Sequence, residues 1–447
     1  MVREEVKLML DNFKDKMIQI KHPKQLGLPE LIAIALGGMI GGGIFTVLGI
    51  SVSMIGVYTP LAFILGGLLA IMAAYSYIKL GVYYKDEGAT YSFFKRTFPN
   101  SPFWASLIGW GVIFGYISTL ALYAYTFASY AISSFPFADD EWIRKAVAGA
   151  IILLFTLINL WSVKGMGKIE DLMVYTKLII LTIIAFVLMS HSNTSLPILL
   201  ENNDDIHIIS ILIVASLTFV AFEGFQLVIN AVNEMENPEK NIPKAIYSAM
   251  FLAILIYVIL SLGAILAIPF EDIVQNQEYA LAAGANKVLG HWGTDLVIMG
   301  ALLATSSAIS GTLFGSSRQV SVIAEDGYFP KFLAKRKNNI PIYAIISMAI
   351  LAFCLILAGN LKVILEFGSV TFLLVSFLMA FANFTIYKKT NSSLCLTIGA
   401  MIGLAIGIIL IIYYEATTQI EQLYFIGGLY LLLTLGAWIF SLTHSKK

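Results

Sequence analysis

Charge is scarce in these 447 residues: 28 basic and 28 acidic side chains make up 13% of the chain, and they cancel. So sparse and balanced a charge gives a nucleic acid no electrostatic footing, and no nucleic-acid partner is expected. The two cysteines, Cys354 and Cys395, lie in or beside separate apolar segments, which suggests neither a disulfide framework nor a metal site. The five histidines (His22, His191, His207, His291 and His444) fall outside the centres of those segments. With no His-Glu-x-x-His motif and no paired intramembrane aspartates, catalysis is not expected and no cofactor or metal is implied. Nor is there an apolar stretch before residue 25 to serve as the core of a cleaved signal.

What is abundant is apolar surface. Hydrophobic residues form 58% of the chain and mean hydropathy is +0.83. Runs of about 20 apolar residues, the length that crosses a hydrocarbon core, recur from end to end. Twelve spans are predicted: 28–53, 59–84, 103–134, 143–161, 169–190, 207–233, 243–267, 293–323, 341–358, 363–387, 394–414 and 421–442. Basic residues test that count, because they concentrate on the cytoplasmic side. With both termini in the cytoplasm, only Arg144, Lys145, Lys287 and Lys362 fall outside, while Lys177 and Arg318 lie within spans and all the other basic residues fall inside. Losing or gaining one span would scramble the alternation. The expected location is therefore the cytoplasmic membrane, with the lipid bilayer as surroundings. Ahead of the first span, Val6, Leu10, Phe13, Met17 and Ile20 recur at alternating spacings of four and three, an apolar stripe suited to an interfacial helix or, more plainly, a charged tail.

Glycine is placed where a membrane helix tolerates it least. Gly37-Gly-Met-Ile-Gly-Gly-Gly-Ile-Phe45 sits in the middle of the first span. Every backbone N–H and C=O in hydrocarbon needs an internal partner, so unwound backbone survives only inside protein or beside a cavity. A broken helix offers free amides at a positive half-helix end, a seat for a carboxylate. A second interruption, Phe219-Val-Ala-Phe-Glu-Gly-Phe225, lies at the corresponding depth of the sixth span. Paired breaks opening two five-helix halves are the pattern of an inverted repeat. Tight helix packing is the plainer reading of such glycines. A channel would instead show a repeated pore-lining ring or filter, and two asymmetric breaks favour a closed site.

These residues resemble the amino acid–polyamine–organocation permeases. The likeness runs through residues 37–45, 73–80 with 87–94, Phe222–Gln226 with 233–245, and Arg318 with 324–330. It implies a LeuT-like, all-α polytopic membrane protein. Residues 1–27 would be a cytoplasmic N-terminal segment, 28–190 and 207–388 the two inverted five-helix repeats, 394–442 two appended helices and 443–447 a cytoplasmic tail. The implied function is secondary active transport of amino acids or related amines by alternating access. An amino acid/polyamine antiporter and a transport-inactive sensor of the same fold remain alternatives.

The resemblance also implies a site. The substrate carboxylate would sit on the amides of Gly42, Gly43 and Ile44, beside Ile40 and Gly41. Its ammonium would lie on the carbonyls of Met39, Val220 and Glu223, with Phe222 as a gating aromatic or a plain core contact. Lys177 lies deep in the fifth span, where an ionisable group is a functional hypothesis by default. Proton-coupled relatives carry a lysine there, which would face the Gly37 carbonyl and the hydroxyls of Thr305, Ser306 and Ser307, with protons as the coupling partner. The alternative is a structural lysine satisfied by carbonyls. Glu223 departs from the family's apolar residue and has three open readings: a proton site, a counter-charge for a cationic substrate, or a cap on the break. Lys362 and Glu366, four residues apart, read as a rim ion pair.

Overall fold

Proline and glycine mark several of the helix starts and both breaks. The structure is a computed structural model that describes residues 26–161, 163–191, 206–337 and 340–444. The stripe expected over Val6–Ile20 lies outside the described residues, as do 445–447 of the expected tail. Seven helices come first: α1 Leu28–Met39, α2 Gly42–Ile55, α3 Thr59–Tyr84, α4 Ala89–Thr97, α5 Pro102–Ile132, α6 Glu141–Trp161 and α7 Val163–Ser190. Next are α8 Ile208–Leu217, a 3-10 turn Thr218–Phe222, α9 Leu227–Asn230, α10 Pro238–Ala267, α11 Phe270–Gln275 and α12 Ala280–Glu325. The last four are α13 Ile342–Ala358, α14 Leu361–Thr385, α15 Leu394–Thr418 and α16 Ile420–His444.

Pro29, Pro60, Pro102 and Pro238 open α1, α3, α5 and α10, positions where a missing N–H breaks no helical bond. The Asn360 side chain accepts from Val363 N at 2.9 Å and so caps the start of α14. Gly290 turns left-handed inside α12 (φ 68°) and divides it into two pieces.

Ten stretches among the described residues are long and apolar enough to cross a membrane, the first of which, Gly42–Tyr84, runs over α2 and α3. α1 and α13 are shorter apolar helices. Each of the twelve expected spans holds helix, and the protein is an all-α polytopic membrane protein. The most apolar windows of α5 and α14 are 83% buried, against 28% in α15 and 22% in α16. The core therefore gathers around α5, which packs on α12, α14, α16 and α6, while most of the surface of α15 and α16 faces outward. The chain just before α1 is tied to the loop after the second break, with Leu26 N donating to Glu234 O (3.2 Å) and Glu236 N to Leu26 O (3.0 Å).

The Lys362–Glu366 pair is more than a rim contact. Glu366 is fully buried, its carboxyl 3.7 Å from Lys362 Nζ, and it faces the buried carboxyl of Glu415 on α15. Lys362 also donates to Tyr414 Oη at 2.7 Å, so one cation serves two acids where α14 meets α15. Helix spacing reveals the i, i+4 pair but not the second acid, which comes from a different helix.

Candidate functional site

A helix that stops inside a protein leaves its last four carbonyls without intrahelical donors. At the end of α1 each of the four is nevertheless satisfied from elsewhere. Lys177 Nζ donates to Gly37 O (3.1 Å) and Ile40 O (2.5 Å). Tyr123 Oη donates to Gly38 O at 3.0 Å. Met39 O accepts from Gly41 N (3.0 Å) and from Tyr257 Oη (2.8 Å). Lys177, with no exposed surface, thus places its ammonium at the negative pole of a half-helix, where the aligned peptide dipoles favour a cation. Its third described bond goes to Ser307 Oγ at 2.7 Å. Thr305 turns back to the carbonyls of Ala301 and Leu302 on its own helix. Ser306 is only partly buried, and none of the described hydrogen bonds joins it to Lys177.

The start of α2 is the opposite pole. Gly41 precedes it and supplies no side-chain cap, so the first-turn amides of Gly42, Gly43 and Ile44 have no side-chain acceptor at the N-cap. These residues are buried. The second break comes against the first. After the 3-10 turn, Glu223 is extended and Gly224 takes φ +121°, a region that only glycine enters freely. A β-carbon on Gly38 would lie 2.7 Å from Leu227 Cδ1 and 3.0 Å from Gly224 Cα. One on Gly43 would lie 2.8 Å from Ala221 Cα. The glycines are there because two unwound backbones approach one another directly. Tyr257, from α10, bridges them by reaching both Met39 O and Ala221 O (2.9 Å).

Beside this junction is a small cavity of about 10 Å³, room for about one water molecule, lined by Gly38, Tyr116, Thr119, Tyr123, Glu223, Gly224, Leu227, Thr312 and Phe372. Glu223 is nearly fully buried, and its Oε2 accepts from Gln226 Nε2 at 2.6 Å. Gln226 also accepts from Gly224 N (3.2 Å), so the cap on the second break is Gln226 rather than Glu223. Val220 O accepts from Glu223 N at 3.2 Å. Phe222 does not line the cavity. Its ring packs 5.2 Å from that of Tyr257 and against Gly67, and the aromatics at the cavity are Tyr116, Tyr123 and Phe372.

Sequence reasoning missed Tyr116, Thr119, Tyr123, Tyr257, Thr312 and Phe372. A signal existed for the first three. Tyr116, Thr119, Tyr123 and Thr126 recur every three or four residues, a polar stripe on an otherwise apolar helix. Thr126 continues that stripe to Thr46 of α2 (2.5 Å between hydroxyls).

A family model described as amino acid permease matches residues 26–440. The chain belongs to the amino acid permease family. An uncharacterised protein of Methanocaldococcus jannaschii is 26% identical over 430 residues, covering 95% of this permease and 96% of that protein. The inner membrane transport protein YbaT of Escherichia coli is 28% identical over 357 residues, 78% of this chain and 81% of its own. Cationic amino acid transporter 7, chloroplastic, of Arabidopsis thaliana is 25% identical over 384 residues, 80% of this chain and 64% of its own. The permease is accordingly a multi-pass membrane transporter of amino acids or related small molecules, not an enzyme.

Proposed function

We propose that this permease is a secondary active transporter working by alternating access and driven by protons through Lys177. The observation that carries this reading is the seat of the lysine. An ammonium has three N–H donors, and the described acceptors of Lys177 number three: Gly37 O, Ile40 O and Ser307 Oγ. A neutral amine keeps two donors and a lone pair that the Ser307 hydroxyl can fill, but it gives up the charge that the negative end of α1 favours. Losing the proton therefore loosens the end of α1 from α7 and α12, while regaining it pulls the three together. A buried charge held on a half-helix end makes proton occupancy and break geometry two readouts of one equilibrium.

In this reading the substrate carboxylate lies on the amides of Gly42, Gly43 and Ile44, and the two unwound segments close around the ligand. Residues 28–190 and 207–388 act as the two halves that rock about it, both termini are cytoplasmic, and the membrane is the cytoplasmic one. Retained breaks, glycines forced by backbone approach and an amide-bearing helix end all support it.

The test is uptake by reconstituted proteoliposomes in sodium-free buffer with an inward proton gradient. The wild type is expected to accumulate amino acids. Lys177→Met is expected to lose accumulation while keeping exchange of labelled for unlabelled substrate. Strict sodium dependence, or full gradient-driven uptake by Lys177→Met, would overturn the proton mechanism.

A further inference from the structure

The acceptors expected for the substrate's positive group are largely spoken for. At the first break, Lys177, Tyr123, Tyr257 and Gly41 N occupy the carbonyls of residues 37–40. At the second, Val220 O and Ala221 O are held by Glu223 N and Tyr257. Of the expected carbonyls only that of Glu223 has no described donor, and one side-chain acceptor able to carry charge is open as well. Glu223 Oε1 is buried without a hydrogen-bond partner among the described residues.

We propose that the Glu223 carboxylate is the seat for a positively charged group of the substrate. The permease then selects amino acids with an ammonium or guanidinium side chain, or amines, over neutral amino acids. This rests on the transporter reading of the cavity and deepens it by naming a substrate class.

Three features carry the assignment. The carboxyl is preoriented, because Gln226 holds Oε2 while itself anchored on Gly224 N, which fixes the direction of Oε1. Among the described residues no basic side chain is a partner of Glu223. A buried carboxylate with an open oxygen demands a proton or a cation, and Glu223 lines the cavity at the two breaks, which must widen to admit a ligand. The remaining lining polarity, the hydroxyls of Tyr116, Thr119 and Thr312, can accept further N–H donors from such a group.

The experiment is isothermal titration of the purified, detergent-solubilised permease with lysine, arginine, putrescine, leucine and alanine, paired with uptake of the same compounds in proteoliposomes. The wild type is expected to bind the cationic ligands at least about tenfold more tightly than the neutral ones. Glu223→Gln is expected to weaken the cationic ligands by about five- to a hundredfold and to leave the neutral ones within about twofold. Glu223→Asp, which keeps the charge, should restore part of the preference. Neutral ligands binding as tightly as cationic ones, or equal losses for both classes in Glu223→Gln, overturn the proposal. If neutral amino acids alone are transported, this inference fails and the transporter reading stands. If no amino acid or amine binds or moves, both fail. Should Glu223→Gln not fold, the wild-type ranking alone decides.

Discussion

Adding one methyl group at Gly43 tests the carboxylate seat most directly. A β-carbon there would sit 2.8 Å from Ala221 Cα and 2.9 Å from Ala221 Cβ. Carbon atoms in ordinary contact are about 3.5–4.0 Å apart, so the two breaks must separate by about 1 Å. No side-chain rotation can absorb that, because the obstacle is backbone and an alanine, and Tyr257 holds Ala221 O and Met39 O together from behind. Overpacking of this kind costs about 1–3 kcal/mol of stability. The effect on binding is separate. If the Gly43 amide donates to a carboxylate, moving it by about 1 Å forfeits a charge-assisted hydrogen bond worth about 1.5–3 kcal/mol, or roughly 10- to 150-fold in affinity. Gly43→Ala should therefore lose affinity by that factor in calorimetric titration, with a lowered midpoint in thermal unfolding. Gly428→Ala, with nothing within 4 Å of the added carbon, is the control and should lower neither quantity. Wild-type affinity in a folded Gly43→Ala protein would remove the carboxylate from the first-turn amides.

Two further predictions follow from contacts made far along the chain. Tyr257→Phe deprives two buried carbonyls of their shared donor, so stability should fall by about 1–3 kcal/mol and substrate affinity with it, read by thermal unfolding and titration. Unchanged values for both would mean that Tyr257 does not couple the breaks. Lys362→Met leaves the facing acids Glu366 and Glu415 without their described cation, and should lower the unfolding midpoint. Adding Glu366→Gln should recover most of that loss, whereas a double variant no more stable than the single one would show that the pair contributes nothing.

Much of the architecture was legible locally because its causes are local. Membrane crossing depends on some twenty consecutive apolar residues, and unwinding depends on glycine at one depth, so the spans and both breaks could be read from contiguous sequence. Lys177 stood out for the same reason, as a charge deep inside an apolar run. The partners of these groups were not local. Successive helical residues point about 100° apart, so a rotation worth one residue decides whether Ser306 or Ser307 meets Lys177, and only packing of α12 against α7 selects Ser307. The same applies to Phe222, whose ring turns to Tyr257 rather than to the cavity. Gln226 takes the capping role open to Glu223, because extended backbone at 223 and positive φ at 224 bring its amide back onto the break. Tyr257 closes both breaks from 218 residues beyond Met39, and Glu415 meets Glu366 from another helix. Composition and spacing determined where this chain crosses and where it unwinds. Which hydrogen-bonding groups then face one another was decided by the rotation and mutual packing of the helices, which exists only once they are assembled.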